Sequence, residues 1–142
     1  MTHISRDVLQ TNISAVKNRI TQAASACGRN AKSIRLVSVS KTFPVSYTDM
    51  AFGLGLTDFG ENRIQEAAQK IEQLPKLPIT WHFIGHLQSN KARTAVTYFD
   101  WIHSVDSEKL LKKLDEAGTE LGKTPQVLIQ ADLAGEATKH GA

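Results

Sequence analysis

The fold class follows from the stretch RLVSVSK, residues 35–41. It is short, rich in branched residues and followed by Pro44, a pattern typical of a buried strand that ends in a loop. Before it, apolar residues recur every three or four positions from Ser5 to Cys27, which predicts a helix face. Ser5 can cap the start of this helix and Gly28 can end it. We therefore expect an N-terminal helix followed by a first strand.

The unit of strand and helix then repeats along the chain. Further strands are predicted at residues 57–62, 80–85, 101–105 and 126–131, and helices at 45–54, 64–74, 91–99 and 107–121. In the helix over 64–74, Glu66 and Lys70 have a supportive four-residue spacing. Five strands alternating with helices predict an α/β fold with a parallel sheet, because a parallel return needs a crossover long enough to hold a helix. The choice between an open sheet and a (β/α)8 barrel stays open, and this chain would supply about five-eighths of a barrel.

Composition places the chain among ordinary globular proteins, and we expect one domain over residues 1–142. Of its 142 residues, 41% are apolar and 22% are charged. The net charge of +3 is spread among acidic residues, so no nucleic-acid partner is expected. No signal-peptide pattern and no run of about 20 apolar residues is visible, so neither export nor membrane insertion is expected. The lone Cys27 excludes an internal disulfide framework and fits a cytoplasmic setting.

Lys41 is the first candidate for chemistry. It stands at the carboxyl end of the first predicted strand, the edge where parallel α/β folds place their active sites. Strand alternation puts it on the face of Val37 and Val39. If that face looks into a barrel, partial desolvation lowers the pKa of the ammonium and frees a neutral amine that attacks aldehydes. By itself, however, a lysine at a strand end is more often a solvated charge.

Other motifs predict no catalytic or metal site. The glycines within residues 53–60 lack the spacing and the preceding strand of a dinucleotide fingerprint. His82 and His86 share a strand face, but four strand residues span roughly 13 Å, too far for one zinc ion. His82 is expected instead to be a hydrogen-bonded residue near a pocket. Three acidic residues after the fourth and fifth strands either face a pocket rim or serve as caps and surface charges: Asp106, Asp132 and Glu136.

Five sequence motifs span nearly the whole chain. They are LVSVSKT at 36–42, FGEN at 59–62, WHFIGHLQSNK at 81–91, HSVDS at 103–107 and GEATK at 135–139. In order and spacing they resemble the pyridoxal 5′-phosphate (PLP) homeostasis proteins, which are relatives of the barrel domain of alanine racemase. The resemblance implies a partial (β/α)8 TIM-type barrel, with an N-terminal helix and the first five strands.

The resemblance also implies a cofactor and the residues that hold it. PLP would be bound as a Schiff base, the internal aldimine, on Lys41, with Asn62 beside it at the end of the second strand. His82 and Lys139 are implied as residues of the pocket rim. No catalytic residue and no metal ligand is implied.

The implied function is to hold PLP and to deliver it, with PLP-dependent apoenzymes as recipients and no assigned turnover. A racemase takes its second acid/base group from a tyrosine on a separate β domain, whereas Tyr47 and Tyr98 fall in predicted helices here. Two alternatives stay open. One is a PLP-dependent enzyme of the amino-acid racemase type, and the other is a partner-binding protein with a vestigial PLP site.

The chain is shorter than the resemblance implies. A complete barrel has three more strands, and loops near its end often hold a phosphate. We therefore expect a chain truncated after strand five, with a weakened phosphate site. Open edges at strands one and five would favour self-association.

Overall fold

The computed structural model describes residues 4–142. Its helices are α1 (Arg6–Ala26), α2 (Val45–Phe52), α3 (Ile64–Gln73), α4 (Ala92–Tyr98) and α5 (Glu108–Leu121). Its strands are β1 (Ser38–Val39), β2 (Asp58–Glu61), β3 (Thr80–Phe83), β4 (Trp101–Val105) and β5 (Gln126–Ile129). Short 3₁₀ turns cover Ala31–Ser33 and Ser89–Lys91. Over residues 4–142, every helix is too short or too polar to cross a membrane.

All five strands lie in one parallel sheet, and their spatial order is their order in the chain. The crossovers from β1 onward each contain a helix, as parallel pairing requires. A doubly wound open sheet reverses its strand order at a switch point, and this sheet has no such reversal. The order is that of a (β/α) barrel, and the expected partial barrel is confirmed.

The predicted helix ends are confirmed at the two longest helices. The hydroxyl of Ser5 accepts a hydrogen bond from a backbone N–H in the first turn of α1, and Ser107 does the same for α5. Gly28 and Gly122 follow these helices with φ of 69° and 62°, a left-handed conformation that glycine adopts without strain. Local capping chemistry therefore determines where both helices begin and end.

The hydrophobic core lies between the sheet and the helices. Alternate strand residues such as Phe59, Phe83 and Ile102 are at most 2% exposed and pack against apolar residues of the helices. The intervening strand residues, such as Gly60 and His82, lie on the opposite, concave face of the sheet. This two-sided pattern separates the apolar layer between sheet and helices from the more polar concave face, where a barrel can hold a ligand.

The edge strands are shorter than the sequence predicts. β1 is paired only at Ser38 and Val39, although the pattern predicted a strand over 35–41. β5 ends at Ile129 rather than at residue 131. β1 and β5 each have a single neighbour in the sheet, so fewer of their backbone groups are held in the ladder. The interior strands β2 and β3 are also shorter than predicted and end at Glu61 and Phe83 rather than at residues 62 and 85.

Candidate functional site

Lys41 and Asn62 lie together at the carboxyl edge of the sheet. Val39 of β1 pairs with Gly60 of β2. Lys41 and Asn62 each lie two residues further along, so they stand at the same level of the sheet. The Lys41 side chain is exposed, so the expected partial burial of its ammonium is not found. Within residues 4–142, no hydrogen bond or ion pair engages the side chain of either residue. The edge thus presents an available amine next to an available amide.

The main chain turns sharply at Lys41. Thr42 has φ of 67°, which is rare for a branched residue and strained. Its backbone N–H donates a hydrogen bond of 2.7 Å to Oε1 of Glu66 on α3. The N–H of Phe43 donates to the carbonyl oxygen of Ser40 at 3.2 Å and closes the turn. Lys41 therefore projects from a tight turn whose unusual conformation is held by a carboxylate.

The charge on Glu66 is favoured by this contact. The hydrogen bond from the Thr42 N–H lowers the pKa of the Glu66 carboxyl, burial opposes the shift, and the neighbouring Lys70 ammonium adds to the lowering. The side chain of Glu66 is 28% exposed, so its carboxylate is also in contact with solvent. The hydrogen bond from Thr42 to Glu66 is therefore fully present at pH values above the ordinary carboxyl pKa. It is lost as the pH falls through the lowered pKa of Glu66.

A buried ion pair lies behind the same turn. Nζ of Lys70 is 2.7 Å from Oε1 of Glu61 and donates a second bond of 2.7 Å to the carbonyl oxygen of Ser40. The hydroxyl of Ser40 donates to the same Oε1 atom at 2.6 Å. Glu61 is fully buried and Lys70 is 5% exposed, and Oε2 of Glu61 has no partner among residues 4–142. The four-residue spacing of Glu66 and Lys70 predicted a helix pair, which is present at 3.3 Å, but not this burial.

Asn62 is positioned by close packing against Gly85. A Cβ atom added to Gly85 would lie 2.9 Å from Cα of Asn62 and 3.0 Å from its carbonyl carbon, and nearer still to its carbonyl oxygen. Real Cβ atoms almost never approach backbone so closely. The lack of a side chain at residue 85 therefore lets the loop after β3 support the end of β2.

His82 is near a pocket, as expected, but it does not lie at the rim. It pairs with Gly60, one level below Lys41 and Asn62, and is 1% exposed. Its Nε2 is 2.8 Å from Oδ1 of Asp58, and its Nδ1 is 2.9 Å from Nε2 of His103. Both histidines line a cavity of about 300 Å³ on the concave face. The strand register, which the sequence does not reveal, places His82 inside the barrel.

The environment of His103 is expected to make stability depend on pH. Burial lowers the pKa of His103, and the neighbouring His82 adds to the lowering. The unfolded chain then binds more protons than the folded chain between the lowered pKa of His103 and its ordinary value near 6.5, so the free energy of unfolding falls as the pH drops through that range. We expect urea unfolding at pH 7, 6 and 5 to show this slope, and His103→Asn to reduce it. His86→Asn, which changes an exposed histidine, is the control, and an unchanged slope in His103→Asn would contradict the assignment.

The segment after β5 carries the other predicted candidates. Lys139 is exposed, and none of the described residues pairs with its ammonium. Its backbone N–H donates to the carbonyl oxygen of Glu136 at 3.0 Å. The carboxylate of Asp132 accepts hydrogen bonds from two backbone N–H groups that follow it, which closes a turn, since no helix follows β5 in the described residues. The structure shows no contact between Lys139 and Lys41.

The carboxylate of Asp106 lies close to His86 and His140, a grouping that the sequence did not predict. Ligand atoms of His86, Asp106 and His140 all lie within 4.8 Å of one another. The two imidazole rings are stacked, with centroids 3.9 Å apart and planes 18° from parallel. Each imidazole lone pair lies in the plane of its ring, so the lone pairs of two nearly parallel stacked rings do not converge on one ion as metal ligands must. The arrangement is that of a ring stack beside a carboxylate.

The chain is similar to proteins of one family over almost its entire length. The family described as "Alanine racemase, N-terminal domain" matches residues 4–141. The pyridoxal phosphate homeostasis protein of Pseudomonas aeruginosa is 45% identical over 131 residues, which cover 92% of this chain and 56% of that relative. The chain thus spans little more than half the length of this relative.

Solved structures share the fold. The structure of PipY of Synechococcus elongatus with PLP bound has a TM-score of 0.74 and 44% identity, over 87% of this chain and 57% of PipY. Alanine racemase of Clostridium difficile has a TM-score of 0.68 over 95% of this chain and 33% of the racemase, and its 14% identity shows the fold alone. The match over residues 4–141, together with five parallel strands in sequential order, places the chain in one family. The chain belongs to the family of the alanine racemase N-terminal domain.

Proposed function

We propose that this chain is part of a PLP-binding protein of PLP homeostasis, in which Lys41 holds the cofactor as a Schiff base. The observation that carries the proposal is the exposed amine of Lys41, unpaired among residues 4–142, at the carboxyl edge of a parallel sheet. It projects from a turn whose backbone is hydrogen-bonded to Glu66 and Lys70. The names of the relative and of the PLP-bound PipY structure support it. When bound, PLP supplies an aldehyde that condenses with a primary amine.

The other candidate residues have distinct proposed roles. Asn62 offers an amide at the level of Lys41 and is proposed to contact the cofactor. Lys139 is proposed as a cation at the pocket rim. His82 is proposed to shape the floor of the site from within the barrel, since Asp58 and His103 fix its ring. Asp58 directly precedes the FGEN motif and His103 begins the HSVDS motif, but only their proximity in space reveals their contacts with His82.

We propose holding and delivery of PLP to apoenzymes rather than turnover. A racemase needs a second acid/base group opposite its lysine. The hydroxyl of Tyr98 on α4 donates to Glu72 on α3, and the hydroxyl of Tyr47 on α2 accepts from the backbone N–H of Ile4. Both phenols thus lie on helices of the outer layer, which favours a carrier. A single barrel domain that includes residues 1–142 and a cytoplasmic setting, in keeping with the exposed thiol of Cys27, are parts of this proposal.

Covalent labelling tests the proposal directly. The protein is titrated with PLP, the absorbance of the Schiff base is followed, and the complex is reduced with borohydride before peptide mapping by mass. We expect one pyridoxyl group per chain, attached at Lys41, because this amine combines exposure with a fixed backbone. A label that maps chiefly to Lys91 or Lys139 would contradict the proposed attachment.

The 142-residue polypeptide, prepared by itself, is expected to self-associate. Val39 on β1 is 48% exposed, and Leu128 and Ile129 on β5 are 44% and 61% exposed. Unpaired strand edges with apolar side chains favour pairing with other chains. Light scattering after size exclusion should therefore show dimers or larger species, and Ile129→Lys should shift the population toward monomer. A stable monomer at high micromolar concentration would rule this out.

A further inference from the structure

We infer that Glu66 and the buried Glu61–Lys70 pair are positioning residues that fix the main chain on both sides of Lys41 for cofactor attachment. The inference rests on the proposed function, because it concerns how the same lysine is presented. It adds three charged residues of β2 and α3, none of which carries the attachment itself. The three are called the brace below.

The brace holds the residue before Lys41 from the outer side of the sheet. Lys70 donates to the carbonyl oxygen of Ser40, and the Ser40 hydroxyl donates to Glu61. The N–H of Ser40 also donates to the carbonyl oxygen of Gly60 at 3.0 Å. Backbone N–H, backbone carbonyl and side chain of Ser40 are therefore all engaged, and Ser40 is 7% exposed.

The brace also holds the residue after Lys41. Glu66 accepts from the N–H of Thr42, whose left-handed conformation a branched residue rarely adopts. Strain of this kind persists only where surrounding contacts determine the conformation. Nζ of Lys70 lies 3.3 Å from the Glu66 oxygen that binds Thr42, so the two halves of the brace are joined. The chain can depart from this turn only by breaking charged hydrogen bonds.

The side chain of Lys41 takes no part in fixing the conformation of this turn. This side chain is exposed and makes no hydrogen bond or ion pair with any of residues 4–142. The direction in which Nζ leaves the sheet is therefore set by the backbone of residues 40–42. A loop that populates other conformations would bind its ligand more weakly in proportion to the competent fraction.

A purely stabilising role does not account for the brace equally well. Buried ion pairs contribute little net stability, since desolvation offsets their attraction. This one also leaves Oε2 of Glu61 without a partner among the described residues. Its well-satisfied contacts are directed at the backbone before Lys41, which is the arrangement expected of a positioning device.

Two kinds of variant test the brace. Glu66→Ala removes the acceptor of the Thr42 N–H, and Glu66→Gln retains an acceptor without the charge. The double variant with Glu61→Gln and Lys70→Met removes both buried charges together, which avoids an unpaired buried charge that could prevent folding. The control is Glu72→Ala on the same helix, because Glu72 contacts Tyr98 and not the turn.

Two readouts separate positioning from general stability. The first is hydrogen exchange at the Thr42 amide in protein without PLP, and the second is the affinity for PLP followed through the Schiff-base absorbance. We expect Glu66→Ala to raise the exchange rate and weaken PLP binding, each about tenfold, and Glu66→Gln to do so about threefold. The double variant should weaken PLP binding about tenfold while it still unfolds cooperatively. Glu72→Ala should leave both readouts within about twofold of the wild type.

The outcomes are distinguishable. If Glu66→Ala and the double variant keep wild-type PLP affinity, the brace does not position Lys41 and the inference is wrong. Equal losses in Glu72→Ala would also overturn it, because they would reflect general destabilisation. If the wild type forms no Schiff base at Lys41, the proposed function fails. The exchange of the Thr42 amide then decides alone whether the brace fixes this turn.

Discussion

Replacement of Lys41 by alanine is expected to abolish the Schiff-base absorbance and the borohydride-stable label. The reason is chemical, because alanine offers no amine and the other lysines lack the position beside Asn62 at the carboxyl edge. Lys41→Arg should fail equally, since a guanidinium retains the charge but does not form the imine under these conditions. The result to measure is the mass of the peptide that contains residue 41 after reduction in each variant.

The matched control is Lys76→Ala. Lys76 is exposed in the loop between α3 and β3, at the opposite, amino edge of the sheet. This variant should bind and retain PLP like the wild type, and both variants should unfold at wild-type denaturant concentrations because both lysines are exposed. A Lys41→Ala protein with an undiminished band, labelled at another lysine, would show that the attachment is wrongly assigned.

The fold was predictable because local signals agree along the chain. The helix caps Ser5 and Ser107 and the stops Gly28 and Gly122 lie where the apolar periodicity begins and ends. Alternation of strands with helices predicted the parallel sheet, but not the choice between open sheet and barrel. That choice depends on spatial strand order, which is a property of the assembled sheet.

Part of the candidate site was predictable for the same reason. Asn62 directly follows β2 and Lys41 lies two residues beyond the end of β1, and strand ends of a parallel sheet meet at one edge. The depth of His82 was not predictable, because periodicity reports the face of a strand and not its register with neighbours. A residue in the middle of a four-residue strand can lie at the rim or one level inside.

The brace was missed because its signal is not local. Glu61 and Lys70 are polar residues of the kind that sequence patterns assign to solvent, and their burial depends on how α3 docks beside β1 and β2. Only the short spacing from Glu66 to Lys70 was visible beforehand. A glutamate inside an apolar strand, with a lysine nine residues later on a helix face, is the signal that such a buried pair leaves.

Gly85→Ala is expected to disturb the site from beneath Asn62. The added methyl group would overlap the backbone of Asn62, which cannot yield as a flexible side chain can. Overpacking of this kind costs about 1–3 kcal/mol of unfolding free energy. Displacement of a binding group by about 1 Å should weaken PLP binding by about tenfold to a hundredfold, while Lys41 remains the labelled residue.

The control for Gly85→Ala separates strain from site geometry. Gly28→Ala places a methyl group at a left-handed position where nothing lies within 4 Å, at the far end of α1. It should cost about 1 kcal/mol of stability and leave PLP affinity unchanged. PLP titrations and urea unfolding of both variants give the comparison. If Gly85→Ala binds PLP as tightly as the wild type, close packing at residue 85 is not what positions Asn62, and the amide of Asn62 then loses its proposed place beside the cofactor.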